Sequence, residues 1–568
     1  MARWSAGNPA VRHGLILVLV ALIFRLAAAS ELGGSPYFEV NFLPGMDMRG
    51  FIDWGLRLAD GNWLGMGDGA YWQAPLYPYL LGVHFAIFGE HWLGLVLVQI
   101  LLGVATVLLT WRVGTRLGGS RVGIIAGLLV ALYPPLLFFE SIFLGTTLEV
   151  AVGTLALFCL VRAAEGTDPR RWALAGAALG LACLARPNFL LVAAVAWLPA
   201  WLNNRQVGRC SFKALSAYGG ALGVCILPVT LRNLLVGGQF VLISASGPET
   251  FRIGNSYDSV ALGFLYPQEP LMPLTSLAFW KHLGTKAALF WWGFEPAQNV
   301  GVNVYLAQKF SPILAWIPLG FFVLVPLAVV GVYVTSDRWK GLMPSGLFIG
   351  GYYLSVILFF VIARFRLPLI PALAVLSAAA LSVGWDLWRR HKFRPLAIAG
   401  GVVITFGLVL YPFGVSRIRI NDYHALVTIL MGQQKTEEAL AVLEEAAVAF
   451  PSTPGIWEEM GRLQFQAGRY ETAASSLETE LAINPKSGAA HFFLGQFYVV
   501  QDPARAAEHL RQYLVLQPEA PDRETVESLL RQIELGGSPP AAVGRDEGNP
   551  LDTGKSPAVR VGETAKRP

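Results

Sequence analysis

The chain is 568 residues long, 54% hydrophobic and only 14% charged, with a formal net charge of +5. A soluble chain would carry about 25% charged residues, so a wholly soluble globular protein is excluded and a polytopic membrane protein is expected. Residues 1–420 hold 30 Lys+Arg against 17 Asp+Glu, residues 421–535 hold 8 against 17, and residues 536–568 hold 5 against 4. A basic membrane part is therefore joined to an acidic soluble part and a short tail, and the small positive excess is no nucleic-acid signal. Cys159, Cys183, Cys210 and Cys225 lie in or beside apolar stretches without metal-ligand spacing and read as small hydrophobes.

A helix needs about 20 apolar residues to cross a bilayer. The first such stretch, 14–30, follows Arg3 and Arg12 like a secretory signal, but Arg25 inside it favours a retained helix. A long loop, 31–92, comes next. Within it Asp47 to Asp60 predicts a short amphipathic helix with Phe51, Trp54 and Leu58 on the membrane side. Asp47 opens that helix, where the helix dipole favours a carboxylate; the plain reading of such an acid is an N-cap. The stretch YWQAPLYPYLLGVHFAIFG at 71–89, with Pro75 and Pro78, suits an interfacial helix. His84 and His91 have no ligand spacing beside them, and no metal is expected.

Further spans are predicted near 93–111, 122–139, 142–161, 172–185, 188–203 and 215–236, then, after a second long loop at 237–311, near 312–335, 345–363, 367–387 and 396–414. That makes eleven with the first. Alternate connections carry Arg112/Arg116/Arg121, Arg162/Arg170/Arg171, Arg205/Arg209/Lys213, Arg338/Lys340 and Arg389/Arg390/Lys392/Arg394, while the opposite ones have few cations. The positive-inside rule then makes the N-terminus cytoplasmic and sets both long loops and the C-terminal part outside.

Beyond residue 420 the pattern changes period. Pro451, Pro485 and Pro518 recur at intervals of 34 and 33, and between them recur Gly461, Ala473 and Leu477, then Gly495, Ala506 and Leu510. Tyr423, Leu426, Ala439 and Leu443 supply an earlier unit. Small residues let paired helices approach and the proline closes each unit, so the pattern resembles three tetratricopeptide repeats. They fall at about 420–453, 454–487 and 488–520, with a capping helix at 521–535, and 536–568 reads as a disordered tail. The expected architecture is all-α, with a transmembrane bundle over 1–415 and an α-solenoid over 421–535.

The membrane part carries ordered motifs: the Asp47 helix, a Gly-Asn-Trp turn at 61–63, APLYPY at 74–79, LYPPLLFFES at 132–141, GLACLARPN at 180–188, SASGPETFRIGN at 244–255, FWWGFEPAQN at 290–299 and RFRLPLIPAL at 364–373. Together these resemble the integral-membrane glycosyltransferases of the GT-C superfold, closest to the protein-mannosyltransferase and aminoarabinose-transferase-like group, over about residues 14–390. The resemblance implies sugar transfer from a polyprenyl-phosphate donor outside the cytoplasm, with inversion and without a metal or cofactor. Asp47 matches the family's loop acid, the base acting on the acceptor. A hydroxyl is a poor nucleophile until a carboxylate takes its proton, and an anionic phosphate leaving group needs cations that stay charged near lipid. Arg364, Arg366, Lys286 and Arg186 are the candidate phosphate ligands, against ordinary interfacial snorkelling for the first two.

Asp53, Glu140, Glu149 and Glu295 are candidate supporting acids. Asp53, six residues past Asp47, is expected to face away. The family often has an acid where this chain has Thr146; Glu149, one helical turn later, is a candidate substitute. Asn299 and Asn255 are candidate pocket or turn residues. The resemblance also implies a bacterial inner membrane and an acceptor that is protein, lipid or glycan; a protein partner on the repeats is the further candidate. Two other classes compete. A polysaccharide polymerase or O-antigen-ligase-like enzyme would rely on outer-loop Arg and His, and a scaffold or transporter would line its spans with polar residues, which these spans almost lack. No phosphate-cradling loop or dinucleotide fingerprint favours a nucleotide sugar.

Overall fold

The computed structural model describes residues 9–198, 212–263, 265–297, 301–415 and 417–535, with the side chains of 338–340 left out. Asn299, Cys210 and the tail 536–568 lie outside the described residues. Their regular elements are helices, and the β pairing among the described residues is two isolated bridges, Ser256 with Leu271 and Leu262 with Val361. It divides into two compact units, one ending at Gln433 and the other beginning at Gln434.

Among the described residues six helices are long and apolar enough to cross a bilayer: Pro9–Gly33, Trp92–Gly118, Thr146–Ala164, Phe212–Leu235, Ala363–Arg389 and Phe393–Leu410. The chain is thus a multi-pass membrane protein, but eleven full spans are not reached. The expected 122–139 span is cut at Pro134–Pro135 into Ser120–Ala131 and Pro134–Phe139, and Phe321–Val334 and the helix ending at Ile357 are also short. Pro169–Ala185 ends before Arg186–Pro187, because a residue before proline is forced out of the helical region.

Two ends of the bundle are distinguished by their contacts. At one, the arginine-rich connections meet through Arg116–Glu165, Arg171–Glu165 and Arg121–Asp386. At the other, the two long loops interlock: the Ala245 and Ser246 N–H groups donate to the Tyr71 and Trp72 carbonyls, and Tyr37 donates to Gly301. In the first long loop, Asp47–Ala59 crosses Leu76–Phe88 where Gly55 faces Leu81 and Gly82 faces Leu58, each so close that a Cβ would lie within 2.7 Å of the opposing side chain. Met48, Ile52, Gly55 and Leu58 form the buried face; Phe51 and Trp54 are half-buried.

The second unit stacks helix pairs. Ile456–Gln466 packs on Tyr470–Ile483, and Gly488–Gln501 on Pro503–Leu516. Ala474, Leu477, Ala490, Leu494, Tyr498, Val499 and Ala506 make one continuous core, and Leu510, Tyr513 and Val526 carry it to the terminal helix Arg523–Glu534. Ser487 and Asp502 cap their helices through side-chain oxygens, and the buried Glu480 carboxylate accepts the Gly455 N–H at 3.0 Å. Gly461 and Gly495 occupy equivalent positions, where a Cβ would meet Leu477 at 2.5 Å and Leu510 at 2.6 Å. Gly495→Val is expected to destabilise the repeat unit by about 1–3 kcal/mol through overpacking. Limited proteolysis of the full chain checks this: cleavage within 456–516 should accelerate while the membrane fragments stay protected.

Candidate active site

Asp47 is the first residue of its helix, preceded by Met46, and no side-chain cap is formed there. Its Oδ2 instead accepts a hydrogen bond from Arg364 Nη2 at 3.0 Å, joining the first long loop to the start of Ala363–Arg389. The carboxylate remains 27% exposed while the arginine is 11% exposed, so Asp47 is the group of the pair that solvent and substrate can reach. Beside it lies a second pair. Arg186, released from the helix by Pro187, donates from Nε and Nη2 to the two oxygens of Glu149 at 2.5 and 2.9 Å. Glu149 belongs to the first turn of Thr146–Ala164. The pairs sense one another, with Arg186 in the field of Asp47 and Arg364 in the fields of Glu149 and Arg186.

Phe365 spaces the two guanidinium groups, which lie 4.0 Å (Arg186) and 5.4 Å (Arg364) from its ring centre. The buried Tyr352 hydroxyl, within electrostatic reach of Arg186, Glu149 and Arg364, makes no hydrogen bond, and Arg364 Nε is also unpartnered. Two acids and two arginines balance in formal charge, yet leave polar atoms free to receive a ligand. An uncompensated buried charge is strongly unfavourable; a neutral cluster with spare donors can hold an anion.

The other candidates are placed elsewhere. Asp53 pairs with Arg49 at 2.8 Å on the exposed side of its helix, as expected. Glu140 forms a buried pair with Arg25 at 3.0 Å, in a cavity that Thr146 also lines. Glu295 pairs with Arg366 Nη2 at 2.8 Å and accepts from Tyr133 at 3.2 Å. Arg366 also donates to the carbonyls of Phe290, Trp292 and Phe294, and so fastens the FWWGFE turn. Lys286 Nζ meets three acceptors, Gly254 O, Asn255 Oδ1 and Phe359 O, at 3.0, 2.8 and 2.7 Å. Asn255 in turn donates to the Phe251 and Leu358 carbonyls. With those donors spent, Arg366, Lys286 and Asn255 hold the second long loop in shape. His84 bonds the His91 carbonyl, and no group of three or more metal-ligating side chains occurs among the described residues.

Sequence reasoning did not single out Tyr352, Phe365, Arg232 or Asn233. Arg232 donates to the carbonyls of Leu64, Gly65 and Gly69 and stacks on Tyr71 at 3.9 Å, shaping the loop behind Asp47. Phe365, between two candidate arginines, was the legible one of the four.

A membrane bundle with an acid–arginine cluster under interlocked loops is an arrangement that can hold an anion at the membrane surface. Residues 72–231 match the family model of dolichyl-phosphate-mannose-protein mannosyltransferases, and residues 424–488 and 458–522 match that of tetratricopeptide repeats. The first match lies within the membrane unit and agrees with the resemblance above, and the second agrees with the helix pairs of the C-terminal part, which are tetratricopeptide repeats. No curated protein matches the chain significantly. Among solved structures, ArnT from Cupriavidus metallidurans bound to undecaprenyl phosphate is similar at 13% identity and a TM-score of 0.40, over 94% of this chain and 78% of that one. The oligosaccharyltransferase of Archaeoglobus fulgidus in the apo form is similar at 14% identity and a TM-score of 0.42, over 97% of this chain and 62% of that one.

Two measurements test the division between site and scaffold. Arg186→Ala leaves Glu149 buried without its partner and is expected to destabilise the membrane unit by about 3–5 kcal/mol, with Arg186→Lys recovering only part because the two-pronged contact is lost. Thermal unfolding in detergent reads both. Burial pulls the Lys286 ammonium down from 10.5 to about 7. The unfolded chain then binds more protons than the folded one between those values, so this lysine's contribution to stability rises with pH across that window. Lys286→Met should flatten the slope of unfolding temperature against pH between 7 and 10.5, whatever it does to the absolute value.

Proposed function

We propose that this protein is a membrane glycosyltransferase that moves a sugar from a polyprenyl-phosphate donor to an acceptor hydroxyl on the extracytoplasmic side, with inversion at the anomeric carbon. The single observation that carries the reading is the Asp47–Arg364 contact, in which a partly exposed carboxylate is held by an arginine with donors to spare, next to a second arginine. The mannosyltransferase family match over 72–231 supports it independently and favours a mannose donor and a protein hydroxyl.

Binding begins with an exchange. The donor phosphate is a diester with one negative charge and two free oxygens, as a carboxylate has, and a second charge develops on it as the glycosyl bond breaks, so it competes with Asp47 for the Arg364 guanidinium and holds it more strongly as the reaction proceeds. Arg186 stays locked to Glu149 and adds positive potential beside it. Asp47, released from Arg364, has both oxygens free to accept the proton of an incoming hydroxyl. As that proton passes to Asp47, the acceptor oxygen bonds to the anomeric carbon and the bond from that carbon to the phosphate oxygen breaks. The electron pair remains on the phosphate, where Arg364 stabilises it. The protonated Asp47 is reset when the product leaves.

The decisive comparison is wild type against Asp47→Asn in nanodiscs, supplied with radiolabelled polyprenyl-phosphate sugars and membrane extract as acceptor. Transfer is expected to fall by about a hundredfold or more, the scale of a lost general base, with thermal stability preserved. Equal transfer by both proteins would remove Asp47 from the mechanism.

A further inference from the structure

The first helix of the repeat region, Ile420–Gly432, falls inside the membrane unit, and its first turn carries a carboxylate that meets the second long loop. Asp422 is fully buried. Its Oδ1 accepts the Gly301 N–H at 3.1 Å and Arg419 Nη2 at 2.9 Å; its Oδ2 accepts Asn303 Nδ2 at 2.9 Å, the Arg419 N–H at 3.0 Å and Arg419 Nε at 3.2 Å. Arg419 Nη1 also reaches the Ala297 carbonyl at 3.2 Å, so one acid–arginine pair grips the loop on both sides of residues 298–300. Gly301 fits the grip for two reasons. Its φ of +77° is strained for a side chain, and an added Cβ would lie 2.9 Å from Val40 and 3.1 Å from Ala425 of the same helix.

What the grip holds adjoins the candidate active site. Asn303 Oδ1 caps the Tyr305 N–H, the Tyr305 hydroxyl accepts the Glu295 N–H at 3.1 Å, and Glu295 pairs with Arg366, two residues from Arg364. Glu295, Pro296, Ala297, Val302 and Asn303 line a cavity together with Phe138 and Arg364. A carboxylate desolvated this thoroughly needs every partner it has, so these loop residues keep their place only while Asp422 stays where its helix puts it. We infer that Asp422 is a positioning residue for the transfer reaction: it fixes the loop residues that line a cavity together with Arg364, and so makes the first repeat helix a working part of the transferase. This inference rests on the function proposed above.

The test compares the full-length chain with Asp422→Asn, which keeps the shape but offers donors where acceptors are required, and with Asp422→Ala. Three quantities are read in nanodiscs: hydrogen–deuterium exchange of 301–307 and 359–366, affinity for undecaprenyl phosphate, and transfer from a polyprenyl-phosphate mannose to membrane extract. Expected are faster exchange in both segments and a drop in kcat/KM of about tenfold or more, the scale of a slightly misplaced site. Undecaprenyl phosphate affinity, set by the arginines, should change by less than about twofold. Faster exchange at 301–307 alone with unchanged transfer would overturn the inference and leave Asp422 a structural residue, as would unchanged exchange in both segments. If wild type transfers from no donor, the proposed function falls and exchange at 359–366 alone decides whether Asp422 reaches the segment that carries Arg364.

Discussion

The two acid–arginine pairs at the loop end of the bundle bind the candidate site together, and they are not equivalent. Glu149 and Arg186 share two hydrogen bonds and both are nearly buried; Asp47 and Arg364 share one, with the carboxylate partly open. At an effective dielectric constant of about 20, a unit charge pair at 4 Å gains roughly 4 kcal/mol, too little to offset full desolvation of both ions in bilayer-like surroundings without further hydrogen bonds. The two-pronged pair has those bonds and is fixed. The single-bond pair has fewer and is the easier of the two to exchange for another anion. The inequality gives the site one rigid cation and one exchangeable cation, which is what capture and release of a phosphate require.

The same chemistry used to completion makes scaffold. Arg366 meets three carbonyls and a carboxylate, Arg232 three carbonyls and a side-chain amide oxygen, and Lys286 two carbonyls and an amide oxygen. Loops that must lie over an apolar bundle carry backbone groups that water cannot reach, and each left unpaired is costly. Long cations answer that need by reaching several carbonyls from one anchor point. The number of acceptors each cation meets therefore separates the roles better than the residue type. Among the described residues Arg364 bonds the Asp47 carboxylate alone, whereas Arg366, whose Nε is likewise unpartnered, meets four acceptors.

Much of this was legible in the sequence, and the part that was not has a physical cause. Charge depletion, the segregation of arginines and the 34-residue proline spacing all reflect local chemistry, and the membrane bundle and the repeats follow from them. Asp47, Glu149, Arg186 and Arg364 were each recognisable as candidates, yet their pairing spans 317 residues in one case and 37 in the other, a distance that no local pattern encodes. Lys286 read as a phosphate ligand because a lysine in an apolar loop looks the same whether its acceptors are phosphate oxygens or carbonyls. The expected 122–139 span is interrupted because its hydropathy persists through Pro134–Pro135, where the backbone cannot stay helical. Asp422 was hidden by its context, since an acid in the first turn of a helix is unremarkable until the loop it grips is seen.

The RFR sequence at 364–366 shows how one turn serves both tasks. Arg364 and Arg366 bracket Phe365 in a short helical turn, Ala363–Arg366, and residues two apart on a helix point to different sides. One arginine is sent toward Asp47 and the other toward Glu295 and the FWWGFE carbonyls. The phenylalanine between them offers its ring to Arg186 at 4.0 Å, a contact that restrains that cation without using a hydrogen-bond donor. Because Arg366 is buried and bonded to three carbonyls and the Glu295 carboxylate, the turn cannot rotate without breaking those bonds, so Arg364 extends from a held base. Movement at the site is thereby confined to one side chain, and exchange between Asp47 and a phosphate need not disturb the loops that surround it.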